Sequence, residues 1–196
     1  GTAAILTALW HKQRSGEGQF VDLSQVECLF PLAAPGILHQ SVYGQSPRRS
    51  GNKHPDHAPH GVYPCEGDDA WVVIQVTDEI QWQRLQDLIP ALAPFGDVDE
   101  RLDKREALDE CVRAWTQQRP AAAVMQLLQG VGVTAARLNN AQAILDEPHL
   151  QDRGYLQWLE REYVGVQPHP SPPFRVTADP IPITSPAPTL GQHNHD

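Results

Sequence analysis

Apolar and polar positions change period several times along the chain, and each change marks an element. Residues 1–10 are small or apolar: Ala3, Ala4, Leu6, Ala8 and Leu9 lead to Trp10, and charge enters only at His11, Lys12 and Arg14. That pattern predicts a packed helix whose cationic last turn suits the negative end of its own dipole. A Ser-Gly-Glu-Gly-Gln turn follows, then a short alternating strand at Val21, Asp22, Leu23 and Ser24. Ser24 with Glu27 three positions on is a capping-box pattern ahead of a second helix. This helix carries Val26, Cys28, Leu29, Phe30 and Leu32 and should weaken at Pro35 and Gly36.

A polar, proline-bearing link over 45–59 leads to a predicted hairpin, in which Glu66-Gly67-Asp68-Asp69 turns between two β-rich runs. Asp78 is placed to cap a helix on which Ile80, Trp82, Leu85, Leu88 and Ile89 recur at helical spacing. Two more helices are expected, one over 103–117 with Leu108, Cys111, Val112 and Trp115, the other over 120–129 with Pro120 in its first turn. Gly130 and Gly132 stop the second, and the following Val-Thr-Ala-Ala-Arg-Leu reads as a strand. From Pro168 onward the proline density forbids regular helix. That segment should run extended across a surface, anchored by Phe174, Val176 and Ile183. The fold class is thus an α+β module over 51–140, flanked by pieces of a second domain.

Composition narrows the function classes. A 40% hydrophobic content is enough for a core. A net charge of −9 disfavours nonspecific nucleic-acid binding, which relies on many phosphate contacts from Lys and Arg. No apolar run approaches the ~18 residues of a membrane span, and no signal-like region precedes the short run at 1–10. The three cysteines, Cys28, Cys65 and Cys111, form no C-x-x-C pair, which fits a reducing, cytoplasmic compartment better than a disulfide scaffold or zinc ribbon.

Candidate chemistry concentrates near the middle. His54-Pro55-Asp56-His57-Ala58-Pro59-His60 places three imidazoles and a carboxylate within seven residues. A metal site is one reading. The prolines forbid the helix that would gather these side chains on one face, so a solvated loop stands beside it. Arg48, Arg49 and Lys53 form the densest basic cluster, adjacent to the histidines, and could meet phosphates or a substrate carboxylate. Ser15-Gly16-Glu17-Gly18-Gln19 is a turn and not a phosphate loop, since it follows a helix and lacks the terminal Gly-Lys-Ser/Thr. The five tryptophans sit within apolar patterns, as core or interface side chains. His193, Asn194, His195 and Asp196 read as a frayed end.

Ordered segments carry a family resemblance. The small-residue helix, basic turn, S/T-G-x-G-Q and V-D-L-S strand resemble the family III CoA-transferases, the group containing the carnitine, bile-acid and formate/oxalate CoA-transferases. Residues 59–76 (PHGVYPCEGDDAWVVIQV) are similar to that family's P-x-G-x-Y, turn and W-V-x-I hairpin, and Gln81-Trp82 to the pair opening its next helix. Residues 132–137 and 146–154 (DEPHLQDRG) resemble its next strand and D-P-H-x-x-x-R-G loop, and 188–194 (PTLGQHN) its closing P-x-L-G-x-H-N.

The resemblance implies a CoA thioester as substrate, a carboxylic acid as acceptor and no permanently bound cofactor; on the reading of the histidine run given above, no metal is expected. It implies catalysis by an aspartate that attacks the thioester to form a mixed anhydride and then carries CoA as an enzyme thioester. In the family that aspartate precedes the first helix here, so it is expected upstream of Gly1. Asp22, the first acid in this chain, falls where the family has a structural aspartate. No catalytic residue is therefore expected within the chain, and Arg48, Arg49, Lys53, His57 and His60 are its candidate substrate contacts. The resemblance offers a third reading of the histidine segment, as counterpart of the glycine-rich loop that stabilises an oxyanion in formate/oxalate-type relatives; the tetraglycine itself is absent.

The opening helix has at best Thr2 as a cap, and the chain is expected to be the C-terminal portion of a longer enzyme, inactive alone and missing its N-terminal half. Residues 1–25 would end the N-terminal part of a split α/β large domain, 26–50 form a linker, 51–140 the small α+β domain, and 141–196 the return linker and C-terminal part of the large domain. Two subunits would interlock as a homodimer. α-Methylacyl-CoA racemases share the scaffold, and a non-catalytic dimerisation or support domain is a further alternative. Exposed apolar surface is expected on the first helix and the proline-rich segment.

Overall fold

A computed structural model describes residues 1–47, 49–176 and 179–194. They divide into two compact units, residues 1–51 and 52–196.

The first unit is built on two helices. α1 (Thr2–Ser15) starts at Gly1 with no side-chain cap and places Lys12 and Arg14 in its last turn. It stops at Gly16, whose φ of 79° needs a residue without Cβ. α2 (Phe30–Tyr43) follows a 3₁₀ turn over Glu27–Leu29. The Glu27 N–H donates to Ser24 Oγ at 3.3 Å, so the capping residue acts as the sequence predicts. The expected weakening at Pro35 does not occur, and α2 runs through that proline to Gly44. Pro35 removes a single backbone bond, which the turns on either side outlast. Residues 21–24 form no strand, because no other strand of this unit lies beside them to complete a ladder. None of the described residues in 1–51 is buried. Ile5, Leu9, Trp10, Phe30, Leu38 and Val42 are all more than half exposed, as the sequence led one to expect of the first helix.

The second unit has a core. β1 (His60–Pro64), β2 (Trp71–Gln75) and β3 (Thr134–Arg137) form an antiparallel sheet in the order β1-β2-β3. The register pairs Tyr63 with Val72 and Ile74 with both Gly61 and Ala135, so these residues share one face. On that face Tyr63, Val72, Ile74 and Ala135 are buried, while Val62, Trp71 and Val73 opposite are only partly covered. The alternation seen in the sequence is that of a sheet with helices on one side.

Those helices are α3 (Glu79–Leu88), α4 (Val98–Asp103), α5 (Arg105–Thr116) and α6 (Ala121–Gly130). Asp78 caps α3 by accepting the Gln81 N–H at 2.8 Å, and Asp97 caps α4 in the same way. Leu85, Leu108, Val112, Val124 and Leu128 are fully buried. Each such side chain stabilises the fold by about 1.5–3 kcal/mol relative to exposure. Thr116, also buried, donates to the Pro64 carbonyl at 2.8 Å and ties the end of α5 to β1.

Beyond β3 come α7 (Ala141–Leu145), α8 (Pro148–Asp152) and a hairpin of β4 (Leu156–Arg161) with β5 (Gly165–Pro170). β6 (Arg175–Val176) and β7 (Asp179–Pro180) pair briefly. Gly154 has a φ of 58°, and a Cβ there would meet Pro180 Cγ at 2.9 Å, so the Arg-Gly of the 146–154 segment serves loop geometry. The proline-rich segment is held differently from expectation. Phe174 and Val176 face solvent and do not anchor it, which meets the expectation of exposed apolar surface on this segment, while Ile183 is partly covered. Instead the Gln157 amide donates to the Ile181 carbonyl and accepts the Ile183 N–H, each at 2.8 Å. Backbone groups that prolines leave without a regular ladder thus find a side-chain partner.

Candidate functional site

The histidine segment forms a loop over 52–60 on the second unit, fastened from below by two arginines. Arg101 on α4 is 2% exposed. Its Nε donates to the Ala58 carbonyl at 3.0 Å and its Nη1 to the Gly96 carbonyl at 2.9 Å. Both Nη atoms reach the Glu79 carboxylate, at 2.6 and 3.2 Å, and the guanidinium lies 4.5 Å from the Trp82 ring centroid. Arg105, at the start of α5, directs Nη2 to the His54 carbonyl at 2.6 Å and the His57 carbonyl at 3.2 Å. Lys53 pairs with Glu106, the next residue of α5.

Above these anchors the imidazoles gather. His54 stacks on His57 with ring centroids 4.4 Å apart and planes at 21°, and lies 5.3 Å from His60. His60 Nδ1 is 2.6 Å from the Asn52 carbonyl, which only accepts, so that nitrogen carries a proton. His54 Nδ1 accepts the Asp56 N–H at 3.1 Å. The rings of His57 meet no hydrogen-bonding partner among the described residues. Stacked rings direct their nitrogens along nearly parallel planes rather than at one point. Among the described residues no group of three or more His, Cys, Asp or Glu is placed to hold a metal ion.

A cleft of about 440 Å³ lies beside the loop, lined by Asn52, Val62, Asp69, Trp71, Leu138, Asn139 and Asn140. Its walls combine apolar surface with three neutral amides and the Asp69 carboxylate. The Trp71 indole N–H donates to Asp69 Oδ1 at 2.7 Å, which fixes the ring at the cleft.

Beneath the loop, Tyr63 donates its hydroxyl proton to Asp109 Oδ1 at 2.6 Å. Burial, followed by the neighbouring Asp109 charge, pushes the Tyr63 phenol far above its ordinary range. Burial also raises the Asp109 carboxyl above its usual 3.8, outweighing the Tyr63 hydrogen bond and the Arg105 charge that pull it down. A carboxyl raised on folding stabilises most below its unfolded pKa and loses that contribution as pH climbs through the folded value. Asp109→Asn keeps an acceptor for Tyr63 but cannot titrate. Its stability relative to wild type is therefore expected to rise with pH from 3.8 upward, as read by urea unfolding at a series of pH values. Parallel pH profiles for the two proteins would refute this.

Of the residues singled out from the sequence, Lys53, His57 and His60 come together on this loop, with His54 completing the stack. Arg49 is exposed on the first unit. Arg48, His195 and Asp196 lie outside the described residues. The sequence reading missed Arg101 and Arg105. Their acid- and base-rich helices look like solvated faces, and only the four-residue spacing that sets both toward one loop hints at them. Among the tryptophans Trp82 is core, while Trp10 and Trp158 are more than half exposed.

Residues 1–194 match the model of CoA-transferase family III. The chain belongs to that family. It is 32% identical over 190 residues to succinyl-CoA:mesaconate CoA-transferase from Haloarcula marismortui, which covers 95% of this chain and 46% of that protein. It is 30% identical to succinyl-CoA–D-citramalate CoA-transferase from Chloroflexus aurantiacus, over 97% of this chain and 48% of that one. Among solved structures, a CAIB/BAIF family protein from Brucella suis superposes with a TM-score of 0.81 at 26% identity, covering 97% of this chain and 50% of that one. The chain thus spans about half the length of the family III relatives it matches. The second unit supplies the small mixed α/β domain with antiparallel sheets. No helix among the described residues is long and apolar enough to cross a membrane.

Proposed function

We propose that this chain is the C-terminal portion of a CoA-transferase that moves CoA from succinyl-CoA to a second dicarboxylic acid. The observation that carries the reading is the likeness along the whole chain to enzymes named for succinyl-CoA transfer to mesaconate and to D-citramalate. The nucleophile is an aspartate outside residues 1–196. Its carboxylate attacks the thioester carbonyl, the C–S bond breaks, and CoA thiolate leaves a mixed anhydride. The thiolate then attacks the aspartyl carbonyl, releasing succinate and leaving an enzyme–CoA thioester. The acceptor carboxylate repeats both steps in reverse and departs as the new acyl-CoA.

This chain's part is the loop over 52–60. Lys53, His57 and His60 face the acid or the CoA phosphates, and the cleft beside Trp71 borders the approach. The bare apolar faces of α1 and α2 support a split α/β large domain completed by the N-terminal half, in a homodimer of interlocked subunits. A cytoplasmic location fits the unpaired cysteines and the CoA substrate.

The test incubates the intact polypeptide that contains this chain with succinyl-CoA and mesaconate or citramalate, and follows thioesters by chromatography. Formation of the new acyl-CoA is expected, with none from the 196-residue chain alone. Exchange of an α-proton without transfer, or transfer by the isolated chain, would overturn the proposal.

A further inference from the structure

The loop over 52–60 is held by two kinds of contact that respond differently to protons. The first kind is permanent. Arg105 donates through Nη2 to the carbonyls of His54 and His57, and Arg101 donates through Nε to that of Ala58. A guanidinium keeps its charge throughout, so these clamps do not titrate. His60 belongs with them, because the Nδ1–H that binds the Asn52 carbonyl is present in the neutral and the protonated ring alike.

His54 is of the second kind. Its half-buried ring accepts the Asp56 backbone N–H at Nδ1, 3.1 Å away. An amide N–H only donates, so this nitrogen holds a free lone pair and the ring is neutral, with its proton on Nε2. The same ring stacks on His57 with centroids 4.4 Å apart. A proton taken from solvent onto His54 Nδ1 therefore sets N–H against N–H and lays a cation on a second protonatable imidazole.

No charged neighbour is paired with these rings. On the loop Lys53 is bound to Glu106 of α5, and Asp56 is exposed. From α4 Arg101 pairs with Glu79 of α3, and from α5 Asp109 accepts the hydroxyl proton of Tyr63 on β1, while Arg105 adds a fixed positive charge at the turn. Among the described residues no ion pair includes His54, His57 or His60.

We propose that His54 is an acid-sensitive latch: its neutral ring closes the turn over 54–57 through the Asp56 N–H, and protonation at Nδ1 releases that turn while the arginine clamps hold the rest of the loop. Loop shape thereby depends on pH in the imidazole range, about pH 5–8. The latch needs no ligand and stands or falls apart from CoA transfer.

NMR of the ¹⁵N-labelled 196-residue chain tests it. At about pH 8 the ring nitrogens should show His54 as the Nε2–H tautomer and His60 as the Nδ1–H tautomer. As pH falls to about 5, the Asp56 amide should lose protection about fivefold beyond the intrinsic pH dependence of exchange, the scale of one net hydrogen bond. That loss should follow the titration of the His54 ring and spare the amides of β2. His54→Asn supplies an oxygen that accepts the N–H two residues on but does not titrate, so it should remove the pH dependence. Asp109→Asn should leave it intact. An Nδ1–H tautomer at His54, or an Asp56 amide indifferent to pH, would overturn the latch. So would a pH dependence that persists in His54→Asn or vanishes in Asp109→Asn.

Discussion

In the 196-residue chain, the backbone amides of α1 and α2 are expected to exchange with solvent at least ~10³-fold less protected than those of β2 and α5. Both helices are 14 residues long, and neither buries a side chain. A helix of that length in water is marginal, because nucleation is unfavourable and most helical stability in proteins comes from packing an apolar face. α1 lacks a side-chain cap and α2 carries Pro35. The second unit is different. Val72, Ile74, Leu108 and Val112 are fully buried in one continuous core, and their amides open only with the unit as a whole. A small domain's stability is about 5–15 kcal/mol, and each 1.4 kcal/mol is tenfold in the opening equilibrium. Hydrogen exchange read by mass spectrometry checks this peptide by peptide. Comparable protection over 5–15 and 108–116 would show that the first unit is packed in a way its exposed Leu9, Trp10 and Val42 do not allow.

Where one short segment carried its own instructions, the fold was legible in the sequence. Asp78 announces α3 because a carboxylate three residues before an amide is a local device, and the structure places it at 2.8 Å from the Gln81 N–H. Val72 and Ile74 announce a strand because alternation is a property of the strand alone. Elements that depend on a partner were not legible. Residues 21–24 alternate correctly and still form no strand, since a ladder needs a second edge. The β4–β5 hairpin escaped notice because its turn places Tyr163 at a φ of 67°, a conformation that sequence rules assign to Gly or Asn. The site divides in the same way. The histidine run is contiguous and was visible. Arg105 meets a loop some fifty residues earlier, and nothing local distinguishes a guanidinium turned inward from one in solvent. Of the apolar anchors proposed for the proline-rich segment, Phe174 and Val176 gave way to Gln157, whose amide is bonded 24 and 26 residues away, the latter at the partly covered Ile183.

The second large effect concerns where the chemistry resides. The acids beside the histidine loop each have another engagement or none that fits a nucleophile. Glu106 is bound by Lys53, Asp109 is held under the loop by Tyr63, and Asp69 accepts the Trp71 indole proton. A carboxylate nucleophile in CoA transfer must reach a thioester carbonyl within a site that excludes water, since its anhydride and thioester intermediates both hydrolyse. Asp56 lies exposed on the loop and has no such shelter within the second unit.

The most direct measurement is to load the intact polypeptide with succinyl-CoA, cleave the enzyme-bound thioester with hydroxylamine, and locate the resulting hydroxamate by mass spectrometry. The label is predicted on a single aspartate outside residues 1–196, and its replacement by alanine should abolish transfer entirely. A hydroxamate on any acid within residues 1–196, Asp22 and Asp56 included, would contradict the account.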